Sequence, residues 1–80
     1  MKTKLVFSTE KKDFEHWIEL PIIPHLNEWF NVQDILEPEK VIEIKKSAFC
    51  WSGVRGKIQS VEHRHHDNDF YVEVFVWCED

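Results

Sequence analysis

Histidines crowd into one short stretch near the end of the chain, and imidazole is a common ligand for transition metals. His63, His65 and His66 are followed at once by Asp67 and Asp69. On a strand, His63 and His65 would point the same way, about 6.5–7 Å apart along the chain. The pair could share a Zn²⁺, Ni²⁺ or Cu²⁺ ion, with Asp69 from across a turn as third ligand. The alternatives are a solvated polar hairpin end and a pH sensor that charges below about pH 6.5.

Basic residues concentrate in the middle of an otherwise acidic chain. Residues 45–66 hold five Lys and Arg against one Glu, a net charge of +4, whereas the whole chain carries −5. Arg55, Lys57 and Arg64, with Trp51 nearby, could neutralise phosphates and stack the bases of a single nucleic-acid strand. The negative total argues against nucleic acid as the main partner, because such affinity comes from neutralised phosphates. The alternative is a solvated strand face that offsets the acidic flanks.

The last segment of the chain alternates between two apolar faces. Residues 70, 72, 74, 76 and 78 put Phe, three Val and Cys on one face, and the opposite face carries Tyr71, Phe75 and Trp77. Large aromatic side chains are unusual on the outer face of an antiparallel strand. Together with Trp51 they predict a protein interface, with another protein or a second copy as partner. The alternative is that the chain's own helix or first hairpin covers them.

Recognised catalytic and cofactor motifs are absent from the sequence. It has no glycine-rich nucleotide loop, no HExxH, no CxxC and no GxSxG. Cys50 and Cys78 each sit in an aromatic-rich run, which is typical of small buried thiols. We therefore predict a protein that is not an enzyme, with no catalytic residue and with zinc or nickel as the only cofactor suggested.

Length and composition predict one soluble domain spanning residues 1–80. The chain has 80 residues and a mass of 9.7 kDa, 42 % of them hydrophobic and 31 % charged. This is too apolar for a disordered chain and too charged for a membrane protein. The longest apolar runs have four residues, whereas a membrane-spanning helix needs about 20. No stretch resembles a signal peptide, so we expect a cytoplasmic protein without a membrane partner.

The first half of the chain predicts a hairpin, a stiff connector and a short strand. Residues 4–8 and 14–20 form the hairpin, because the second segment alternates with period two. A helical turn within 14–20 fits the same residues less well. Residues 21–24 begin and end with proline and favour an extended connector. The apolar run 29–32 then predicts a strand.

A helix is predicted for residues 38–48. Pro38 suits the first helical position, and Lys45 and Lys46 suit the negative end of the helix dipole. The β-branched run 41–44 would also suit a strand, so that alternative stays open.

The clearest element is a long hairpin at the end, with arms 57–65 and 70–78. Residues 66–69 are His, Asp, Asn and Asp, which tolerate tight turns. Ile58 and Val61 break strict alternation, which predicts a bulge between them. The predicted core consists of Leu5, Phe7, Ile18, Leu20, Phe30, Ile58, Val61, Val72, Val74 and Val76.

Several segments together carry a resemblance. They are the L-P-x-I-P step at 20–24, the W-F-N-V run at 29–32, and a final hairpin that reads G-x-I-x-S-V-x-H followed by F-Y-V-E-V. In this order the chain resembles small uncharacterised bacterial and phage-type proteins with an SH3-like β-barrel. The resemblance implies a fold and carries no activity or site residue.

These observations predict a mostly β protein, a small five-stranded bent sheet or SH3-like barrel with one short helix. An α+β arrangement, with a helix on one face of an antiparallel sheet, is the alternative. The expected function is a non-enzymatic protein-interaction or structural module that binds another protein or a second copy of itself through its aromatic strand face. Metal binding or sensing and single-stranded nucleic-acid binding are the second and third alternatives.

Overall fold

A computed structural model describes residues 1–50 and 53–79. The predicted interface residue Trp51 lies outside the described residues. The elements, in chain order, are β1 (Lys2–Ser8), β2 (Asp13–Glu19), β3 (Trp29–Asn31), a 3₁₀ turn (Val32–Asp34), α1 (Pro38–Ala48), β4 (Arg55–His66) and β5 (Asp69–Glu79). The predicted first hairpin, the strand near residue 30, the helix and the final hairpin are all confirmed.

The five strands form one sheet in the order β2-β1-β5-β4-β3. Neighbouring strands are antiparallel except β1 and β5, which run parallel. The sheet curls into a half-barrel, so the predicted five-stranded bent sheet with one helix is confirmed. The last strand therefore lies at the centre of the sheet and has a partner strand on each side.

Helix α1 begins and ends where its sequence signals lie. Pro38 occupies the first turn, with Glu39 beside it, while Lys45 and Lys46 stand in the last turn. Phe49 closes the helix in a left-handed conformation (φ 57°) and donates its backbone N–H to the Lys45 carbonyl.

Burial within α1 decides between helix and strand for the β-branched run 41–44. Val41, Ile44 and Ser47 are buried at helical spacing, whereas Ile42 between them is exposed. A strand would have placed Ile42 and Ile44 on one face. The helix thus uses only one side of this run for the core.

The final hairpin folds as predicted, including its irregularity. Asp67 and Asn68 form the turn with positive φ angles of 49° and 64°, which these residue types tolerate. The ladder between β4 and β5 shifts register between Ile58 and Ser60. This bulge lets both Ile58 and Val61 face the core side, as the sequence indicated.

The core lies between the inner face of the sheet and α1. Six of the ten predicted core residues are buried, and Ile18, Phe30 and Val61 are partly buried against them. Leu20 is only half-buried. Phe70 does not join the valine face, because it lies at the turn end of the hairpin and is 74 % exposed. The helix, the 3₁₀ turn and the segments after them add core residues that the predicted core did not include, namely Val32, Leu36, Val41, Ile44 and Val54. Cys50 and Cys78, predicted as buried thiols, belong to the same cluster.

Gly56 marks the tightest point of this core. A Cβ atom at Gly56 would come within 2.5 Å of the Val76 Cγ1 atom and 2.9 Å of the Phe30 Cζ atom. Gly56 pairs with Phe30 on one side and Cys78 on the other, so its backbone is held in place by two strands. Only a residue without a side chain fits here.

The substitution Gly56→Ala should lower the free energy of unfolding by about 1–3 kcal/mol, the usual cost of overpacking a core. Urea denaturation followed by circular dichroism measures this loss. Gly53→Ala is the matched control, because the nearest atom to its new Cβ is the Gln33 Nε2 atom at 3.6 Å. The control should be neutral or up to about 1 kcal/mol more stable. Equal losses in both variants would contradict the packing described.

Candidate functional site

The two faces of the sheet differ in what covers them. Helix α1 places Val41 and Ile44 in the same cluster as Leu5 and Phe7 of the inner face. The connector between β2 and β3, residues 20–28, lies on that side too, because Pro24 and Glu28 line a cavity together with Leu5. Both covering segments of the described chain are therefore on the inner side. Within residues 1–50 and 53–79, only its own side chains cover the outer face.

Large aromatic side chains of three strands lie on this outer face. Three belong to the central strand β5, and each is half-buried between its neighbours. Two belong to flanking strands and are more open, at 48 % and 41 % exposure. We call this set the outer aromatic face; its members are Tyr71, Phe75 and Trp77 of β5, Trp17 of β2 and Trp29 of β3.

An ion-pair network crosses the middle of the outer aromatic face. Its centre is Glu73, only 8 % exposed, whose carboxylate accepts a hydrogen bond from the Arg64 Nε atom at 3.1 Å. Lys4 Nζ lies 3.4 Å from the same carboxylate and 2.7 Å from that of Glu15. The hydrogen bond to Glu15 raises the pKa of Lys4, with a smaller contribution from Glu73. Arg64 also pairs with Glu62. A row of alternating charges thus crosses the centre of this face, with Lys4 and Glu73 well covered and Glu15, Arg64 and Glu62 exposed.

One end of the outer aromatic face is a compact contact between β2 and β5. The rings of Trp17 and Tyr71 meet edge-to-face, with centroids 5.1 Å apart. The ammonium groups of Lys2 and Lys4 lie 5.2 and 5.9 Å from the Trp17 ring centroid. This geometry is that of a cation–π contact, and it holds the indole flat beside the network.

The other end combines aromatic rings with the first basic residues of β4. The Arg55 guanidinium lies over the Trp29 ring, 4.7 Å from the ring centroid. The Lys57 ammonium lies 5.6 Å from the same centroid. Lys57 also stands directly opposite Trp77 in the ladder. Glu79 faces Arg55 at 4.0 Å. This end is therefore both aromatic and basic.

The predicted interface residues share one surface where the structure describes them. Tyr71, Phe75 and Trp77 all lie on the outer face. Sequence analysis missed Trp17 and Trp29, which enlarge the same surface. The alternation of β2 contained the signal for Trp17, since it put Trp17 opposite Ile18. Trp29 joins only through the register between β3 and β4.

The structure does not assemble the predicted metal ligands. His63 and His65 share the inner side of the hairpin end, and the His65 ring stacks on Phe70 at 4.4 Å. Asp69 pairs in register with His66, so it lies on the opposite face and binds Lys2 instead. Within residues 1–50 and 53–79, no group of three His, Cys, Asp or Glu side chains could hold a metal ion.

The predicted basic stripe is divided in two. Arg55 and Lys57 gather around Trp29, but Arg64 lies nearer the turn and is engaged by Glu62 and Glu73. Two of the three predicted residues therefore remain together beside an aromatic ring.

The two cysteines are buried thiols, as the sequence indicated. Burial raises the pKa of Cys78 to about 12, and the nearby Cys50 adds to the effect. Such a thiol is protonated at neutral pH and is a poor nucleophile. Cys50 also borders a groove of about 370 Å³ along α1 with Ile42, Lys45, Lys46 and Phe49, which offers no paired acid and base.

Comparisons with protein-family models, with curated protein sequences and with solved structures give no match for this chain. In the described part of the chain, α1 is too short and too polar to cross a membrane. The cytoplasmic location stays a prediction.

Replacing Glu73 tests whether the ion-pair network orders the outer face. Glu73→Gln removes the charge that Lys4 and Arg64 share and should lower the free energy of unfolding by about 1–3 kcal/mol. Urea denaturation at low salt measures it. Glu62→Gln is the control, because its exposed pair with Arg64 should contribute less than about 1 kcal/mol. Similar losses for both variants would show that Glu73 has no central part.

Proposed function

We propose that this chain is a non-enzymatic interaction module that binds a second copy of itself through the outer aromatic face. The observation that carries the proposal is that α1 and the connector both lie on the inner side of the sheet. In the part of the chain that the structure describes, Tyr71, Phe75 and Trp77 are therefore covered only by neighbouring outer-face side chains. Aromatic residues of this kind dominate the binding energy of protein interfaces, and contiguous apolar surface marks such interfaces.

The order of residues across the sheet supports a second copy as the partner. The ladder registers align one row of the outer face as Asp13, Ser8, Trp77 and Lys57, from β2 to β4. A two-fold axis parallel to the strands, between β1 and β5, reverses this row in the second copy. Asp13 then faces Lys57 of the second copy, and Trp77 faces the small Ser8.

In the next two rows, the residues closest to the same axis form complementary pairs, while Glu15 faces Ser60 and Trp17 faces Glu62 at their ends. Glu15, Val6, Phe75 and Ser60 form one of them, so Phe75 faces Val6 of the second copy. In the following row, Lys4 and Glu73 are neighbours, and each faces the other type in the second copy. Close to the axis, Trp77 thus meets the small Ser8, Phe75 meets Val6 and Lys4 meets Glu73, which is the complementarity that an isologous interface requires.

The half-barrel itself adds a fold-level argument. A small SH3-like barrel, the architecture that the sequence resembles, offers a rigid strand surface on which such contacts are positioned. We propose that this chain has the same barrel-like architecture. A rigid surface also lowers the entropy lost on association, because few side chains need ordering.

Single-strand nucleic-acid binding is a second candidate, favoured by one observation. The cations of Arg55 and Lys57 lie over the ring of Trp29, and cations beside an aromatic ring are the combination that neutralises phosphates and stacks bases of a single strand. The net charge of −5 weakens this candidate against the first.

A charge exchange tests the proposed pairing. Lys57→Glu places like charges opposite Asp13 at two symmetry-related points, and the dimer should dissociate about tenfold more readily. The double variant Asp13→Lys with Lys57→Glu restores the opposite charges and should recover the wild-type dissociation constant. Sedimentation equilibrium of untagged protein over a range of concentrations measures both constants.

The matched control is Lys40→Glu, which makes the same charge change on the exposed side of α1 and should leave association unchanged. A wild-type protein that stays monomeric at millimolar concentration overturns the proposal. Failure of the double variant to recover overturns the two-fold arrangement. Tight, salt-sensitive binding of a 12-residue oligothymidylate by the monomer, lost in Lys57→Glu, would support the second candidate instead.

A further inference from the structure

Strand β2 is an edge of the sheet, and the hydrogen bonds at its two ends fix which backbone groups are unpaired. The Met1 amino group donates a hydrogen bond to the Leu20 carbonyl at 2.7 Å, and the Leu20 N–H donates one to the Met1 carbonyl at 3.0 Å. Beyond the other end of the strand pair, the Thr9 N–H donates to the Lys12 carbonyl at 3.2 Å. The pairs 1/20 and 9/12 are therefore both hydrogen-bonded pairs of the antiparallel ladder.

Hydrogen-bonded pairs alternate with non-hydrogen-bonded pairs in such a ladder. Since 1/20 and 9/12 are hydrogen-bonded, the pairs 3/18, 5/16 and 7/14 are too. The backbone N–H and C=O groups of Asp13, Glu15, Trp17 and Glu19 therefore point away from β1, toward the open edge. Their side chains lie on the outer face of the sheet.

Among the described residues, this edge lacks two features that usually prevent a strand from pairing further, a proline and a bulge. The segment contains no proline, and its register with β1 runs without a bulge from Asp13 to Glu19. In the described chain, the four residues that point outward leave eight backbone N–H and C=O groups without a strand partner on the free side. The opposite edge, β3, has only three residues and offers far less.

The charges on β2 argue against a second copy at this edge. An antiparallel pairing of two β2 strands must align the four edge residues with one another. If the pairing is centred between residues 15 and 17, Asp13 of each copy lies opposite Glu19 of the other. If it is centred on Trp17, Glu15 of each copy lies opposite Glu19 of the other. Centred on Glu15, it opposes that residue to its own copy. Directly opposed like charges destabilise a strand pair.

The same charges favour a basic strand. Glu15 and Glu19 keep 59 % and 77 % of their side-chain surface exposed, although each has a cation on the β1 side. Asp13 is exposed as well. We propose that the β2 edge binds an extended segment of another protein as a sixth, antiparallel strand, with Lys or Arg at alternate positions. Strand addition is an established mode of peptide recognition. This site uses the free backbone edge of β2 and does not require the dimer, although its acidic side chains lie on the same face of the sheet as the outer aromatic face.

The probe is a blocked octapeptide of alternating lysine and threonine, (Lys-Thr)₄. In an antiparallel pair, hydrogen-bonded residues carry their side chains on the same face, so the lysine N–H groups would face β2. N-methylation of the lysines should abolish binding, whereas N-methylation of the threonines should leave it intact. Amide hydrogen exchange of ¹⁵N-labelled protein gives the second readout. The peptide should slow exchange at Glu15, Trp17 and Glu19, but not at the already bonded Phe14, His16 and Ile18.

Charge is tested with the triple variant Asp13→Asn, Glu15→Gln and Glu19→Gln, which should bind the peptide about tenfold more weakly. The matched control, Asp34→Asn, Glu39→Gln and Glu43→Gln, removes three charges elsewhere and should bind like the wild type. Measuring the peptide on the Lys57→Glu variant separates this site from the dimer. Equal binding by both N-methylated peptides, or protection without the alternating pattern, would overturn the proposal.

Discussion

The double pairing of β5 is the constraint on which the rest of the structure depends. This last strand runs antiparallel to β4 through a two-residue turn and parallel to β1 from the far end of the chain. Because it is central, every second residue must serve the core and every other one must serve the outer face. Val72, Val74, Val76 and Cys78 fill the first set, and all four are buried. The second set is aromatic and has no covering element among the described residues.

Glu73 shows how the outer face is kept in one arrangement. A carboxylate that is 8 % exposed between apolar neighbours needs compensation, since burying an unpaired charge is costly. Lys4 and Arg64 supply it from the strands on either side, and each has a further acidic partner. The network need not add much net stability, because desolvation offsets most of the attraction. Its contacts join side chains of four strands on this face, Glu15 of β2, Lys4 of β1, Glu73 of β5 and Arg64 of β4.

Local sequence patterns predicted the elements, and long-range pairing decided the site. Pro38 and the lysines of the last turn located α1, and the polar turn residues located the final hairpin. The parallel contact of β1 with β5 joins segments more than sixty residues apart, and no local pattern encodes it. Trp29 reached Arg55 and Lys57 through such pairing. The position of Asp69 could have been predicted from the sequence. A two-residue turn pairs Asp69 with His66, which places it on the opposite face from His63 and His65.

The most direct test of the account is an isotope-filtered nuclear Overhauser measurement on a one-to-one mixture of labelled and unlabelled protein. It reports only contacts between copies, so pairs that are close within one chain do not interfere. The account predicts cross-peaks from the Trp77 indole of one copy to Ser8 of the other, and from the Phe75 ring to the Val6 methyl groups. A dimeric sample whose intermolecular cross-peaks fall on α1 or the hairpin end, with none from the outer aromatic face, would contradict it.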